Sequence, residues 1–129
     1  MRQTGRLRRW ERLRSSRDFV RVARLGRRLA SREFVVLIAP AWVESDCRAS
    51  WSSERIPVRR LGVTVSRKVG NAVVRNRVKR AVREWFRHSG SLLDENVDVV
   101  VIARPRVAGR GAEQISRALS ELVASNSRV

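Results

Sequence analysis

The chain has 129 residues, enough for one domain with a real core and too few for several. Its 29 Lys and Arg against 12 Asp and Glu give a formal net charge of +17, an excess typical of proteins that meet nucleic acid or, less often, an anionic membrane. A single cysteine, Cys47, excludes an internal disulfide and a zinc framework, and no apolar run approaches the roughly 20 residues of a membrane span.

The basic excess is almost all arginine, since only Lys68 and Lys79 are lysine. Guanidinium forks make two-point contacts to phosphate and stack on bases, which favours nucleic acid, although a GC-rich genome would leave the same bias. Residues 1–14, "MRQTGRLRRWERLR", carry little apolar periodicity and are expected to form a basic arm that orders on its partner. No signal-peptide hydrophobic region follows the N-terminus, and Glu11 and Asp18 argue against a transit peptide. A cytoplasmic, reduced and soluble protein is expected.

One folded domain is expected over residues 15–125, with a short tail at 126–129. It opens on "SSRDFVRVARLGRRLA", where Ser15 or Ser16 is a candidate N-cap. Phe19, Val22, Ala23 and Leu29 fall at helical spacing there, and Gly26 is a stop signal. The continuous apolar run in "REFVVLIAPAW", bounded by Pro40, predicts a buried strand. Residues 43–56, "VESDCRASWSSERI", are polar and Ser-rich and read as a surface loop. "VRRLGVTVSRKVG" alternates as a second strand, with Val63 and Val65 on one face and Thr64 and Ser66 on the other.

The segment "GNAVVRNRVKRAVREWFR", residues 70–87, concentrates Arg75, Arg77, Lys79, Arg80, Arg83 and Arg87 with only Glu84 to offset them. At about 100° per residue, Val74, Val78, Ala81, Val82 and Trp85 gather in one arc, with Asn76, Lys79, Arg80, Arg83 and Arg87 opposite. Like charges at helical spacing repel by a few tenths of a kcal/mol per pair, so a polyanion is the expected counterpart. Asn71 is a candidate N-cap, and "SRKVGN" adds Arg67 and Lys68 beside a helix start whose free N–H groups suit phosphate.

"SGSLLDENV" is a turn region, "VDVVVIARP" is a third strand apolar enough to be central, and "GAEQISRALSELVAS" is a closing helix with Ile115, Leu119, Leu122 and Val123 inward. The order α-β-β-α-β-α predicts an α+β two-layer sandwich on a small mixed sheet. The strand–helix–strand unit from 61 to 103 should be a parallel crossover, since its connection is long enough to hold a helix.

Candidates for protein-borne chemistry are sparse. His88, at the end of the basic helix, is explained by the helix dipole or by catalysis, and the dipole suffices. Cys47 sits in a loop with no histidine near it in sequence. Asp94, Glu95 and Asp98 are either a magnesium site or solvated acids around a turn. No phosphate-binding loop with a Lys-Ser/Thr signature occurs. Trp85 reads as core, while Trp10 and Trp51 are loop aromatics or base-stacking platforms. No protein-borne catalytic or metal site is expected.

"RLGVTVSRKVGNAVVRNRVKRAVREWF" resembles the signature region of the bacterial ribonuclease P protein subunit, through Ser-Arg-Lys, Gly-Asn-Ala-Val, Arg-Asn-Arg and Lys-Arg at fixed spacing. The likeness extends through "RLRSSRDF", Gly26, "REFVVL" and "DVVVIAR", about 100 residues in all. It implies a small basic subunit that assists a catalytic RNA in removing the 5′ leader of precursor tRNA. The endonucleolytic cleavage depends on Mg2+ held mainly by RNA, so the enzyme's chemistry belongs to the RNA. Partners implied are ribonuclease P RNA, at one copy per RNA, and precursor tRNA, with no membrane. By position, Asn71, Arg75, Asn76, Arg77, Lys79, Arg80, Arg83 and Arg87 correspond to the RNA-docking set, and Arg67 and Lys68 to its extension. A leader cleft between the first helix and the sheet would include Phe19, Phe34 and Leu37. Ala23 and Leu37 stand where many relatives carry aromatics. The resemblance also implies a left-handed crossover, against the usual rule.

Two other functions compete. A plain RNA- or DNA-binding module would use the same helix, but its exposed face is nearly all cation, which suits phosphate more than base edges. A free-standing nuclease would need a carboxylate or histidine cluster that the sequence does not offer.

Overall fold

The structure, a computed structural model, describes residue 13 and residues 16–40, 59–88 and 97–126. Its elements are α1 (Ser16–Leu25), β1 (Arg27–Ala30), β2 (Phe34–Pro40), β3 (Arg59–Val65), α2 (Ala72–His88), β4 (Val97–Ala103) and α3 (Ala112–Asn126), with a 3-10 turn at Pro105–Val107. The arm residues 1–12 with Trp10, the loop 43–56 with Cys47 and Trp51, Trp42, Asp94, Glu95 and residues 127–129 lie outside the described residues.

The four strands lie in the order β1-β2-β4-β3. β2 is antiparallel to both β1 and β4, whereas β3 and β4 run parallel from Arg59↔Val97 to Val65↔Ala103. The parallel pair joined through α2 is the crossover expected from the spacing. β4 is central, as its apolar composition implies, and six of its seven residues are buried.

The expected helices and strands are all present, with one addition. The four residues Arg27–Ala30 form β1, so Leu29 reaches the core from a strand and not from the first helix. Gly26 makes that switch possible: its N–H donates to Val22 O at 2.8 Å, ending α1. A Cβ at Gly26 would lie 2.5 Å from that oxygen and 3.0 Å from Ile38 O, so only glycine lets the chain turn straight onto β2. The exposed Arg27 and Arg28 put charge on the sheet edge, a feature that discourages edge-to-edge pairing.

Strand parity divides the core. Phe34, Val36, Leu61, Val65, Val99 and Val101 pack under α2 and α3, with Val78, Val82, Trp85, Ile115 and Leu119 from the helices. Val35, Leu37, Ala39 and Val100 face the other way, against Val22 and Phe19 of α1. The sandwich is thus α2 and α3 on one face of the sheet, with the short α1 laid across part of the other. α2 is tied to α3 by Trp85, whose Nε1 donates to Ser120 Oγ at 3.0 Å. Leu13, expected to belong to the arm, is buried against the α1 side, and its N–H donates to Leu61 O at 2.9 Å on the outer edge of β3. The folded body therefore reaches at least to Leu13, earlier than residue 15. Among the described residues no helix is long and apolar enough to cross a membrane.

Candidate nucleic-acid interface

α2 carries the helical arc expected of it. Val78, Ala81, Val82 and Trp85 are buried, Val74 is half-buried, and Phe86, which the arc did not include, is buried with them. Because that arc is locked into the core, the opposite face has a fixed direction. Asn76, Arg77 and Arg80 are exposed along it, and Arg75, Lys79, Arg83 and Arg87 flank them half-buried. The Arg75 Nε is buried with no hydrogen-bond partner among the described residues.

The start of α2 is built to leave positive potential uncovered. Asn71 is the N-cap, its Oδ1 accepting from Val74 N–H at 3.0 Å. No acid occupies the first turn, where one would normally complement the helix dipole. The preceding turn is held by Val69, whose buried side chain and bond from N–H to Ser66 O at 3.1 Å fix it to the body. Arg67 and Lys68 therefore project exposed beside the helix start, and the structure brings together all ten residues assigned to RNA docking on one helix and its entry turn.

The cleft residues are divided. Phe19 lies on the α1 side of the sheet, its ring directly over Gly62 of β3, where a Cβ would sit 2.5 Å from the ring. Leu37 faces the same side and is buried. Phe34 does not join them: it is 0% exposed and packs under α2 and α3, which removes it from the cleft. On β2 it is three residues from Leu37, an odd number, and alternate residues point to opposite faces.

α1 covers only part of its face of the sheet. Beneath it Asp98 and Val100 are buried, but one step further Ile102 is half-buried, and its neighbours Thr64 and Ala30 are exposed. The register Ala30↔Val35, Val35↔Ile102 and Thr64↔Ile102 lines these up across the sheet as a strip beside α1, open at Thr64, Ile102 and Ala30 with buried Val35 between the last two. The sequence singles out Thr64 only by its strand parity and the others not at all, since small and aliphatic residues carry no chemical signal of their own.

Asp98 is the one buried charged or polar residue of the described core, at 0% exposure. Two arginines hold it. Arg60 of β3 donates from Nε and Nη2 to its two oxygens, each at 2.8 Å, and Arg21 of α1 donates from Nη2 to Oδ2. Arg21 also donates from Nη1 to Pro40 O at 3.0 Å. The hydrogen bonds to Asp98 raise the Arg60 guanidinium above its ordinary range, with burial opposing. Asp98 is thus engaged as a buried ion-pair centre, which corrects its reading as a solvated acid and occupies the oxygens that the magnesium alternative would need. Among the described residues no three His, Cys, Asp or Glu side chains come together as a metal requires. His88 closes α2 beside Arg87 and is exposed.

Comparison with known proteins adds to this geometry. A family model described as Ribonuclease P matches residues 7–126. The ribonuclease P protein component of Syntrophobacter fumaroxidans is 38% identical over 117 residues, covering 90% of this chain and 83% of that protein. Among solved structures, the Staphylococcus aureus ribonuclease P protein superposes with a TM-score of 0.72 at 33% identity, covering 92% of this chain and 96% of that one. The Thermotoga maritima ribonuclease P protein gives 0.70 at 31% identity, covering 89% and 96%.

Proposed function

The chain belongs to the ribonuclease P protein family, and from that premise we propose that it is the protein subunit that binds the catalytic RNA and the 5′ leader of precursor tRNA. The basic face of α2, held outward by its buried arc and continued by Arg67 and Lys68, is the observation that carries this reading. Its cations neutralise phosphates of the RNA subunit. One copy per RNA, acting in the cytoplasm, lowers the Mg2+ concentration at which the RNA folds and holds its substrate. The RNA and its bound Mg2+ carry out the phosphodiester hydrolysis. Phosphate contacts of this kind are salt-sensitive and tolerant of sequence, as an enzyme that meets many leaders requires.

The strip beside α1 supports a path for the single-stranded leader. Phe19 stands at its side, and half-buried Ile102 supplies aliphatic surface in place of a stacking ring, whereas Leu37 is buried against α1. Contact of that sort discriminates poorly among bases. Phe19→Ala is expected to weaken binding of leader-bearing precursor more than binding of mature tRNA; equal losses for the two would make Phe19 a packing residue only.

The deciding experiment is cleavage of a precursor tRNA by a bacterial ribonuclease P RNA at limiting magnesium, with and without this protein. Cleavage at the mature 5′ end only when the protein is present is the expected result. Tight RNA binding without rescue would return the chain to the plain RNA-binding class. Cleavage with no RNA subunit present would reveal a protein active site.

A further inference from the structure

We propose that Asp98 is a positioning residue for leader recognition, acting as an ionic clamp that fixes α1 above the sheet; this rests on the reading of the groove beside α1 as the leader path. The clamp joins three elements. Asp98 comes from the central strand, Arg60 from the parallel strand beside it, and Arg21 from the helix that forms the groove wall. Arg21 reaches past Asp98 to Pro40 O at the end of β2, so one guanidinium spans two strands.

The rest of the α1 interface is thin for the task. α1 is ten residues long with a single fully buried side chain, Val22, while Val20 and Leu25 are 56% and 70% exposed. A helix this short has little intrinsic stability and takes its order from its tertiary contacts. Apolar contact through Val22 and Phe19 holds α1 to the sheet but leaves it free to rotate or slide, because such contact is not directional. A carboxylate gripped in two-point fashion by one arginine and capped by a second is directional, and removing the charge leaves two half-buried guanidinium groups with only Asp18, 3.8 Å from Arg21 Nη2, to offset them.

The consequence is geometric. Phe19 is two residues before Arg21 on α1, and its ring rests on Gly62, two residues after Arg60 on β3. The clamp and the Phe19–Gly62 contact are therefore adjacent along both elements, and the clamp sets where the ring stands at the edge of the open strip. The α2 face lies across the sheet from it, served by the other half of the core. Loss of the clamp should disturb the groove and spare the RNA-docking helix.

The test uses the protein assembled with ribonuclease P RNA. The Asp98→Asn and Arg21→Lys variants are compared with wild type for affinity toward precursor tRNA with a leader and toward mature tRNA, together with amide exchange across α1 and α2. Arg21→Lys keeps a charge on the helix surface and serves where Asp98→Asn does not fold. The expected result is faster exchange in α1 alone, and a drop of about tenfold in the precursor-to-mature affinity ratio, equivalent to about 1.4 kcal/mol. Affinity for the RNA subunit should be retained. The loss should appear in KM for leader-bearing substrate with kcat kept, whereas general unfolding would lower the active fraction and kcat. A wild-type ratio well above one that the folded variants retain would overturn the clamp proposal alone. A wild-type ratio of one would overturn the groove reading and the clamp with it.

Discussion

At Gly62 the backbone of β3 passes so close beneath the Phe19 ring that any side chain must displace it. Gly62→Ala is therefore expected to push the ring or lift α1, at a cost of about 1–3 kcal/mol by analogy with other overpacked sites. The midpoint of urea unfolding reads this directly. Adding Phe19→Ala should relieve the clash, so the double variant should be clearly more stable than the sum of the two single losses. Simple additivity would mean that the two residues do not meet. Much at this scale was hidden in the sequence. Asp98 looked like one acid among three near a turn, and nothing local betrayed partners 38 and 77 residues away. Phe34 was misplaced because β2 is apolar on both faces, so its composition does not say which parity faces the groove. Leu13 was hidden among arginines.

Elements with long, regular patterns were legible. α2 spans 17 residues with cations opposite an apolar arc, and that contrast both defines the helix and exposes its charged face. β4 was legible for a related reason, since a strand buried on both sides is apolar along nearly its whole length, here at every position but Asp98. β1 was not, because four residues with one buried side chain offer too little alternation, and Arg27 and Arg28 look like a helix end or a loop. The phosphate role of α2 has a quantitative consequence. Each phosphate contact releases condensed counterions, so the logarithm of affinity falls linearly with the logarithm of salt. Replacing Arg75 and Arg77 with Ala should weaken binding to the RNA subunit and flatten that slope by about one to two, the amount two lost contacts imply. Titrations across a range of potassium concentrations would decide it. An unchanged slope with weaker affinity would mean that the two arginines act by packing and not by charge.

On the scale of the molecule, the sheet has a direction and the charge has a cost. We infer that the β3–α2–β4 crossover is left-handed, from the chirality of L-residues. With a strand running upward and a side chain toward the viewer, that residue's N–H and C=O point right. Seen from the α2 side, Leu61 faces the viewer and its carbonyl accepts from Leu13, on the side of β3 away from β4. β4 therefore lies to the left of β3, and a crossover in front of the sheet that moves left is left-handed, in the minority class. The net charge of +17 acts on this whole body. Folding brings cations closer together, so self-repulsion opposes the compact state until an anion arrives. A ligand that binds only the folded form adds RT ln(1 + [L]/Kd), about 1.4 kcal/mol at ten times Kd. Multivalent anions such as sulfate should raise the thermal midpoint more than chloride at equal ionic strength. Sulfate also stabilises proteins by exclusion from their surfaces, so the comparison needs a partner variant. Arg75→Ala with Arg77→Ala retains the fold's core and therefore the exclusion effect, but it loses part of the anion site. Wild type should gain more from sulfate than this variant does. An equal gain in both would place the anion-sensitive charge elsewhere on the molecule and leave α2 with no special claim on phosphate.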